Sequence, residues 1–148
     1  MTQPFQAIAY LSTANETFTP GDIETMLASA RLVNELAGVT GALLLHGSTF
    51  FQYIEGPPAG VQEVYARIQR SRLHSGILEL FNQPVEQREF GEWYMGFADA
   101  PPSLLLRLEQ ARWTRLLEDR TEEASPGEGL ALLLEFWRSA RRYYPGTH

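Results

Sequence analysis

The chain of 148 residues contains no cysteine and no lysine, so all 12 of its basic residues are arginine. Without cysteine it has no disulfide framework, no thiol nucleophile and no cysteine-ligated zinc or iron–sulfur cluster. Without lysine it has no Schiff-base amine and no P-loop lysine. Any chemistry of this chain therefore rests on its other polar side chains or on a bound cofactor.

Positive charge and long apolar runs are also scarce. The 18 acidic residues outnumber the arginines and give a net charge of −6, which argues against a nucleic-acid partner. No apolar run approaches the ~20 residues that span a bilayer, and the start of the chain lacks the pattern of a secretory signal. We therefore expect a cytoplasmic protein that binds neither nucleic acid nor membrane. The three histidines show no metal-ligand spacing, so we expect no metal site.

The hydrophobic pattern predicts an α+β fold with five strands and two helices in the order β-α-β-β-α-β-β. This order contains the ferredoxin-like arrangement, an antiparallel sheet backed by two helices on one face. The predicted strands cover 5–12, 39–45, 49–55, 76–81 and 88–98, and the predicted helices cover 22–38 and about 56–72. We expect Asp22 to be the N-cap of the first helix and Asn82-Gln83-Pro84 to end the fourth strand.

A further segment follows Pro101-Pro102. Its apolar spacing predicts a C-terminal helical pair over about 103–119 and 128–144, packed on the sheet or on a partner. We therefore divide the chain into a domain over 1–100 and a helical extension over 101–148. Three aromatic residues near the end are candidates for an exposed partner surface: Trp137, Tyr143 and Tyr144.

Three polar residues occupy positions where the pattern predicts core, namely Tyr10, Asn34 and Gln52. Taken singly, each is explained as a structural residue whose hydrogen bonds are met by the backbone or by another side chain. Three polar groups converging in one small domain instead indicate a ligand pocket. Both interpretations stay open on the pattern alone.

Five stretches carry a family resemblance. They are 9–12 (AYLS), 30–34 (ARLVN), 38–44 (GVTGALL), 50–56 (FFQYIEG) and 90–95 (FGEWYM). In this order and spacing they resemble the BLUF domain, the family of blue-light sensors that use FAD. The resemblance covers about residues 5–100, which makes 1–100 the expected flavin-binding domain.

The resemblance implies roles for residues beside the flavin ring. Tyr10 and Gln52 are the expected photoactive pair, and Asn34 is expected to hydrogen-bond the carbonyl edge of the ring. Ile23 and Phe50 are further expected contacts of the cofactor.

The resemblance also implies residues near the FAD phosphate and residues that transmit the signal. Arg67 matches the basic residue of the second helix near the phosphate, and His74 matches the histidine just past that helix. The family often has Asp and Arg at the positions of Ser71 and Leu73, so Arg72 is expected to reach the phosphate instead.

Trp93 and Met95, expected on one face of the last strand, are implied to change position or hydrogen bonding when the signal forms. Without the resemblance, their spacing of two residues is more typical of plain core, because aromatic and thioether side chains commonly fill cores.

The implied function is a photoreceptor, not an enzyme, that binds FAD non-covalently. Light is expected to drive electron and proton transfer from Tyr10 to the flavin and to rearrange the hydrogen bonds of Gln52. The lack of cysteine excludes a cysteinyl-adduct photocycle. Since no output domain is expected after about residue 145, we expect the signal to pass to a downstream protein, from a homo-oligomer.

Two alternatives stay open. The first is a small acylphosphatase-like hydrolase, for which residues 13–16 offer a poor phosphate loop. The second is a flavin-free dimerisation or ligand-binding module with the same ferredoxin-like fold. In either case His74 is a surface or capping residue and Arg67 belongs to a solvated helix face.

Overall fold

The computed structural model describes residues 5–91, 93–113 and 127–140. The elements are β1 Phe5–Ala14, α1 Pro20–Ala37, β2 Thr40–His46, β3 Thr49–Gly56, α2 Pro58–Arg70, β4 His74–Val85, β5 Gly96–Asp99, α3 Pro102–Gln110 and α4 Glu128–Ala140. The predicted α+β class and the order of the first seven elements are confirmed. No helix within these ranges is both long enough and apolar enough to cross a membrane.

The five strands form one sheet in the order β4-β1-β3-β2-β5. The first four strands pair antiparallel, as the ferredoxin-like arrangement requires, whereas β5 pairs parallel with β2. The prediction of a fully antiparallel sheet was therefore wrong at this edge. Val85 at the end of β4 lies opposite Phe5, at the same end of the sheet where β2 begins, so a strand entering from there runs parallel to β2.

Individual residues explain the start of α1 and the close packing of β2 on β3. Thr19, not Asp22, is the N-cap of α1: its hydroxyl accepts the N–H of Asp22 at 3.1 Å, and the Asp22 carboxylate accepts the N–H of Thr19 at 2.9 Å. The predicted cap is thus the third residue of a capping box. Gly41 of β2 is required because a Cβ there would lie 1.9 Å from the carbonyl oxygen of Tyr53.

Strand β4 is longer than predicted, because Asn82-Gln83-Pro84 does not interrupt it. Pro84 lies opposite Gln6 of β1, and among the described strands β4 lies at the edge of the sheet beside β1. A proline costs no sheet hydrogen bond where its nitrogen faces outward from an edge. Proline therefore marks an edge here rather than a strand end.

The last strand is much shorter than the predicted 88–98. Residues 86–95, apart from Glu92, form an irregular segment that we call the connection, and only Gly96–Asp99 are extended. Trp93 and Met95 were predicted on one face because side chains two residues apart share a face of a strand. That rule does not apply to the irregular backbone of the connection. Trp93 is buried on one side of the sheet and Met95 on the other, so the common-face prediction was wrong.

Both faces of the sheet are covered. Helices α1 and α2 enclose one core with residues such as Ile8, Phe50 and Ile54, while α3 and α4 cover a second core on the opposite face. Trp137 of α4 is only 4% exposed in this second core, so its predicted place on an exposed surface was wrong. The predicted helical segments 114–119 and 141–144, with Tyr143 and Tyr144, lie outside the described residues.

Candidate functional site

A cavity of about 220 Å³ lies between α1, α2 and the sheet. Most of the predicted site residues line it: Tyr10, Asn34, Phe50, Gln52, Arg67, His74 and Met95. They come from three strands, two helices and the connection, which are brought together only in the fold. The walls between the two helices are mainly aliphatic.

Tyr10, Gln52 and Met95 form a continuous hydrogen-bonded series at the sheet side of the cavity. The register of the central strands places Tyr10 of β1 directly opposite Gln52 of β3. The Tyr10 hydroxyl donates to Gln52 Oε1, and Gln52 Nε2 donates to Met95 Sδ at 3.2 Å. The two ends of one buried amide are therefore distinguished by their partners, one a donor and one an acceptor.

Asn34 joins the cavity to the end of the connection. Its side chain is 2% exposed and its Nδ2 donates to the carbonyl oxygen of Tyr94 at 2.8 Å. A side-chain amide offers two N–H donors and a carbonyl acceptor, so this single bond leaves capacity for a ligand. Arg31, one turn earlier in α1, donates from Nε to the carbonyl oxygen of Met95 at 2.9 Å. Helix α1 thus fixes the backbone at Tyr94 and Met95 through these two hydrogen bonds.

The protonation of Tyr10 is fixed by its surroundings. Burial raises the pKa of the Tyr10 hydroxyl well above its usual value, and the nearby Tyr65 raises it further. Tyr65 lies 6.0 Å from Tyr10 between ring centres and donates its own hydroxyl proton to Glu79 at 2.8 Å. Tyr10 is therefore a neutral hydrogen-bond donor throughout the physiological pH range.

His74 contributes a ring to the cavity, and both of its nitrogens have partners in the protein. Nε2 lies 3.2 Å from the carbonyl oxygen of Ile68, which can only accept, so Nε2 carries the proton. Nδ1 then accepts from the Ser12 hydroxyl at 2.7 Å. Burial lowers the pKa of His74, and the bond to the Ile68 carbonyl offsets part of this effect. The lowered pKa favours the neutral ring. The ring packs near Tyr10 and Phe50.

Three predicted site residues lie elsewhere. Arg72 does not line the cavity, and its side chain is exposed; its role at a phosphate stays a prediction. Ile23 packs at the margin of the first core without lining the cavity. Trp93 lies across the sheet, edge-on to Trp137 of α4 with 5.3 Å between ring centres.

The aliphatic side chains that form the cavity walls were not among the predicted site residues. They include Met26, Leu27, Val33, Leu43, Val64 and Ile68, with Ser29, Ala30, Ser71 and Leu73 completing the lining. The sequence does contain a helical pattern for the α1 wall, because Met26, Ala30 and Val33 are spaced by four and three residues and so lie on one face of the helix. Such a stripe does not by itself distinguish residues that pack against protein from residues that pack against a ligand.

The cavity has the properties of a site for a flat heterocycle. Aliphatic side chains from two helices form opposing walls, and amides from Asn34 and Gln52 provide donors and acceptors at the inner edge. Arg67, in the last turn of α2, supplies a positive charge for an anionic substituent. This donor set fits a flavin nucleotide: ring carbonyls and nitrogens at the amides, phosphate at the arginine. Within the described ranges, no cluster of three or more His, Asp or Glu residues could hold a metal ion.

Comparison with known proteins agrees with this class of site. Residues 5–96 match the family model BLUF, described as sensors of blue-light using FAD. The matched range covers more than half of the chain, and the chain belongs to this family. FAD is accordingly the family's cofactor. The match favours this family over both the acylphosphatase-like hydrolase and the flavin-free module.

Individual relatives support the same family. The dark-state structure of BlrB, a BLUF protein, superposes with a TM-score of 0.67 at 27% identity, covering 91% of this chain and 96% of that one. The blue light- and temperature-regulated antirepressor BluF of Escherichia coli is 39% identical over 77 residues, which are 52% of this chain and 19% of BluF.

Photoactivated adenylate cyclase subunit alpha of Euglena gracilis is 29% identical over 84 residues, which are 57% of this chain and 8% of the subunit. The chain thus spans less than a fifth of the length of these two curated relatives.

Proposed function

We propose that this chain senses blue light with FAD bound in the cavity between α1 and α2, and that Tyr10, Gln52 and Met95 form its hydrogen-bond switch. The series of contacts from Tyr10 through Gln52 to Met95 carries the proposal. Bound FAD supplies the chromophore and accepts an electron and a proton. Asn34 would orient the ring edge, and Arg67, which also lines the cavity, would neutralise phosphate charge.

The hydrogen-bonding capacities of the two partners explain how the amide acts as a switch. Tyr10 can donate or accept, whereas the Met95 thioether can only accept. If the amide of Gln52 exchanges its ends, Nε2 donates to Tyr10 but Oε1 faces a sulfur that has no proton to give. Reorientation therefore breaks the bond between Gln52 and Met95 and leaves Met95 free to move. Loss of that bond is the change that the rest of the chain senses.

We propose that residues 1–100 act as the sensor and that 101–148 pass the signal to a downstream protein, from a homo-oligomer in the cytoplasm. The names of the relatives support this division. The segment shared with the cyclase subunit is 8% of its length and the segment shared with the antirepressor is 19%, so the shared part is the light-sensing part. We infer that this chain itself is a sensor and not an enzyme.

The first test is an absorbance spectrum of the purified protein before and after blue light. We expect a flavin spectrum that shifts reversibly to longer wavelength, because a stronger hydrogen bond to a ring carbonyl lowers the excited state. A colourless protein that takes up no added FAD would contradict the proposal and would favour the flavin-free module.

The switch residues are tested by Tyr10→Phe and Gln52→Leu. Both variants should keep FAD, since neither removes a cavity wall, and both should lose the reversible shift. Tyr65→Phe is the matched control, because Tyr65 bonds to Glu79 and not to Gln52. A normal shift in either switch variant would contradict the assignment, as would loss of the shift in the control alone.

A further inference from the structure

Glu55 is a carboxylate with no solvent exposure in the core on the α3 and α4 side of the sheet. Burial of an acid costs free energy unless hydrogen bonds and nearby positive charge compensate. It does not line the flavin cavity and has no role in the proposed switch. Its position nevertheless adjoins the start of the connection, which carries Met95.

The hydrogen bonds of Glu55 converge on the connection. The N–H of Glu89 donates to both carboxylate oxygens at 2.9 and 2.8 Å, and the N–H of Phe90 donates to Oε2. The Thr40 hydroxyl, 3.4 Å from Oε2, donates to the same oxygen. We call this set of bonds the Glu55 clamp. It attaches two successive residues of an irregular segment to a central strand.

Arg88 reinforces the clamp from the same segment. Its guanidinium donates to Thr40 Oγ1 at 2.9 Å and to the carbonyl oxygen of Gly38 at 2.8 Å. The Thr40 hydroxyl thus accepts from Arg88 while it donates to Glu55. The start of the connection is therefore held against β2 and β3 by both a buried carboxylate and a guanidinium.

Backbone bonds continue from the clamp to Met95. The N–H of Trp93 donates to the Phe90 carbonyl at 3.0 Å, and the Trp93 carbonyl accepts from Gly41 at 2.8 Å. Beyond Trp93, Asn34 and Arg31 hold the carbonyls of Tyr94 and Met95. A displacement of Phe90 therefore changes the position of the backbone that presents Met95 to Gln52.

We propose that Glu55 is a positioning residue of the light response, because its carboxylate fixes the start of the connection and so sets where Met95 meets Gln52. The proposal rests on the proposed role of that contact. A protonated carboxyl becomes a donor at one oxygen and loses the charge that strengthens its bonds to N–H groups. The protonation state of Glu55 then modulates the switch.

The charged surroundings place this protonation within an accessible pH range. Burial raises the pKa of Glu55 to about 7, while the N–H bonds from Glu89 and Phe90 act in the opposite direction. The Glu89 carboxylate raises it further and Arg88 lowers it. Among the described residues, Tyr53 on β3 is a further titratable neighbour, and its own pKa lies well above its usual value because of burial and Glu55. Tyr53 thus stays neutral while Glu55 titrates.

The direct test follows the Met95 methyl group by NMR in the FAD-loaded full-length protein in the dark. The chain has only three methionines, so methyl-labelled protein gives few signals. We expect the Met95 methyl and the N–H signals of Glu89 and Phe90 to titrate together with a midpoint near pH 7. Signals of Glu89 and Phe90 that titrate while Met95 stays constant would overturn the proposal. This measurement needs no variant and no light response.

The second test compares dark recovery after blue light in the wild type, Glu55→Gln and Glu89→Gln between pH 5.5 and 8.5. We expect the wild-type rate to change by about tenfold, the size that follows from weakening one bond to a charged acceptor, and the rate of Glu55→Gln to be constant with pH. Glu89→Gln keeps its backbone N–H in the clamp and should retain the pH dependence, with a slightly lower midpoint.

An equal pH dependence in Glu55→Gln would overturn the role of Glu55. If the wild type shows no light response at any pH, the proposed function fails, whereas the Met95 titration still decides whether Glu55 positions Met95.

Discussion

Arg67 and Arg72, both predicted to lie near the FAD phosphate, have different surroundings in the structure. Arg67 is in the last turn of α2 and lines the cavity, whereas the side chain of Arg72 points into solvent two residues past the helix. A phosphate gains most from a cation whose position is fixed beside it. We therefore propose Arg67, rather than Arg72, as the main contact of the phosphate.

Substitution of each arginine tests this assignment. We expect Arg67→Gln to weaken FAD binding by about tenfold or more, because a charge-assisted hydrogen bond is worth about 1.5–3 kcal/mol. Arg72→Gln, with the same change in charge, should bind FAD as the wild type does. Affinities come from titration of the flavin-free protein with FAD, followed by flavin fluorescence. Equal losses in both variants would show that charge alone attracts the phosphate.

Glu55 also predicts a pH dependence of stability. Its pKa is raised to about 7 in the folded protein from an ordinary value of 4.5, so the folded state holds the proton more tightly than the unfolded state. The resulting stabilisation is fully present below pH 4.5 and is lost as the pH rises through 7, by about 3 kcal/mol. We expect Glu55→Gln to lack this component when urea unfolding is compared between pH 5 and 8. An identical pH profile in the two proteins would contradict the buried titration.

The connection is the element whose local conformation matters most. It places Trp93 and Met95 in different cores although one residue separates them in the sequence. A regular strand would have placed both on the same face. The irregular backbone therefore gives one short segment contacts with the flavin cavity and with α4 at the same time.

Substitutions on the two sides of the connection should have separable effects. Trp93→Ala should lower the free energy of unfolding by about 3–5 kcal/mol through the loss of a buried aromatic contact with Trp137. Met95→Leu should cost less than about 1.5 kcal/mol, but it removes the sulfur acceptor of Gln52 and should change the light response. Urea unfolding and the light-minus-dark spectrum measure the two effects. A spectral change in Trp93→Ala as large as that in Met95→Leu would contradict this separation.

At the scale of the whole molecule, the sheet separates the sensor cavity from the C-terminal helices. Helices α1 and α2 pack on one face, and α3 and α4 pack on the other. If Gln52 acts as the proposed switch, its signal must pass through the sheet or around its edge to reach these helices. The connection follows the second route, since it runs from the end of β4 to β5 at the opposite edge.

Hydrogen exchange under blue light tests this route. We expect amide exchange to increase in residues 93–99 and in α4, where loss of the Met95 contact loosens the packing of Trp93 on Trp137. The outer face of α1, with exposed Leu32 and Leu36, should exchange equally in light and dark. The comparison is made by mass spectrometry on one sample with and without illumination. Increased exchange confined to α1 would exclude this route.

The sequence predicts much of the central sheet because periodicity is strong there. Alternation in β1 and β3 identifies Tyr10 and Gln52 as inward-facing, although the pattern does not contain the register that places them opposite each other. The connection has no period, so neither the opposite placement of Trp93 and Met95 nor the parallel β5 could be predicted. The bond between Glu89 and Glu55 could not be predicted either, because its donor is a backbone N–H, which nearly every residue type has.

The division of the connection between two cores has a consequence for how such a sensor can diversify. If Met95 acts in the proposed switch, residues around it can change to alter the lifetime of the lit state without disturbing the surface that α4 contacts. Residues around Trp93 and Trp137 can change to suit another recipient of the signal without altering colour. The attachment at Glu55 precedes both sides, so a substitution there is expected to affect the two together. One family can therefore combine a nearly constant light detector with many different outputs.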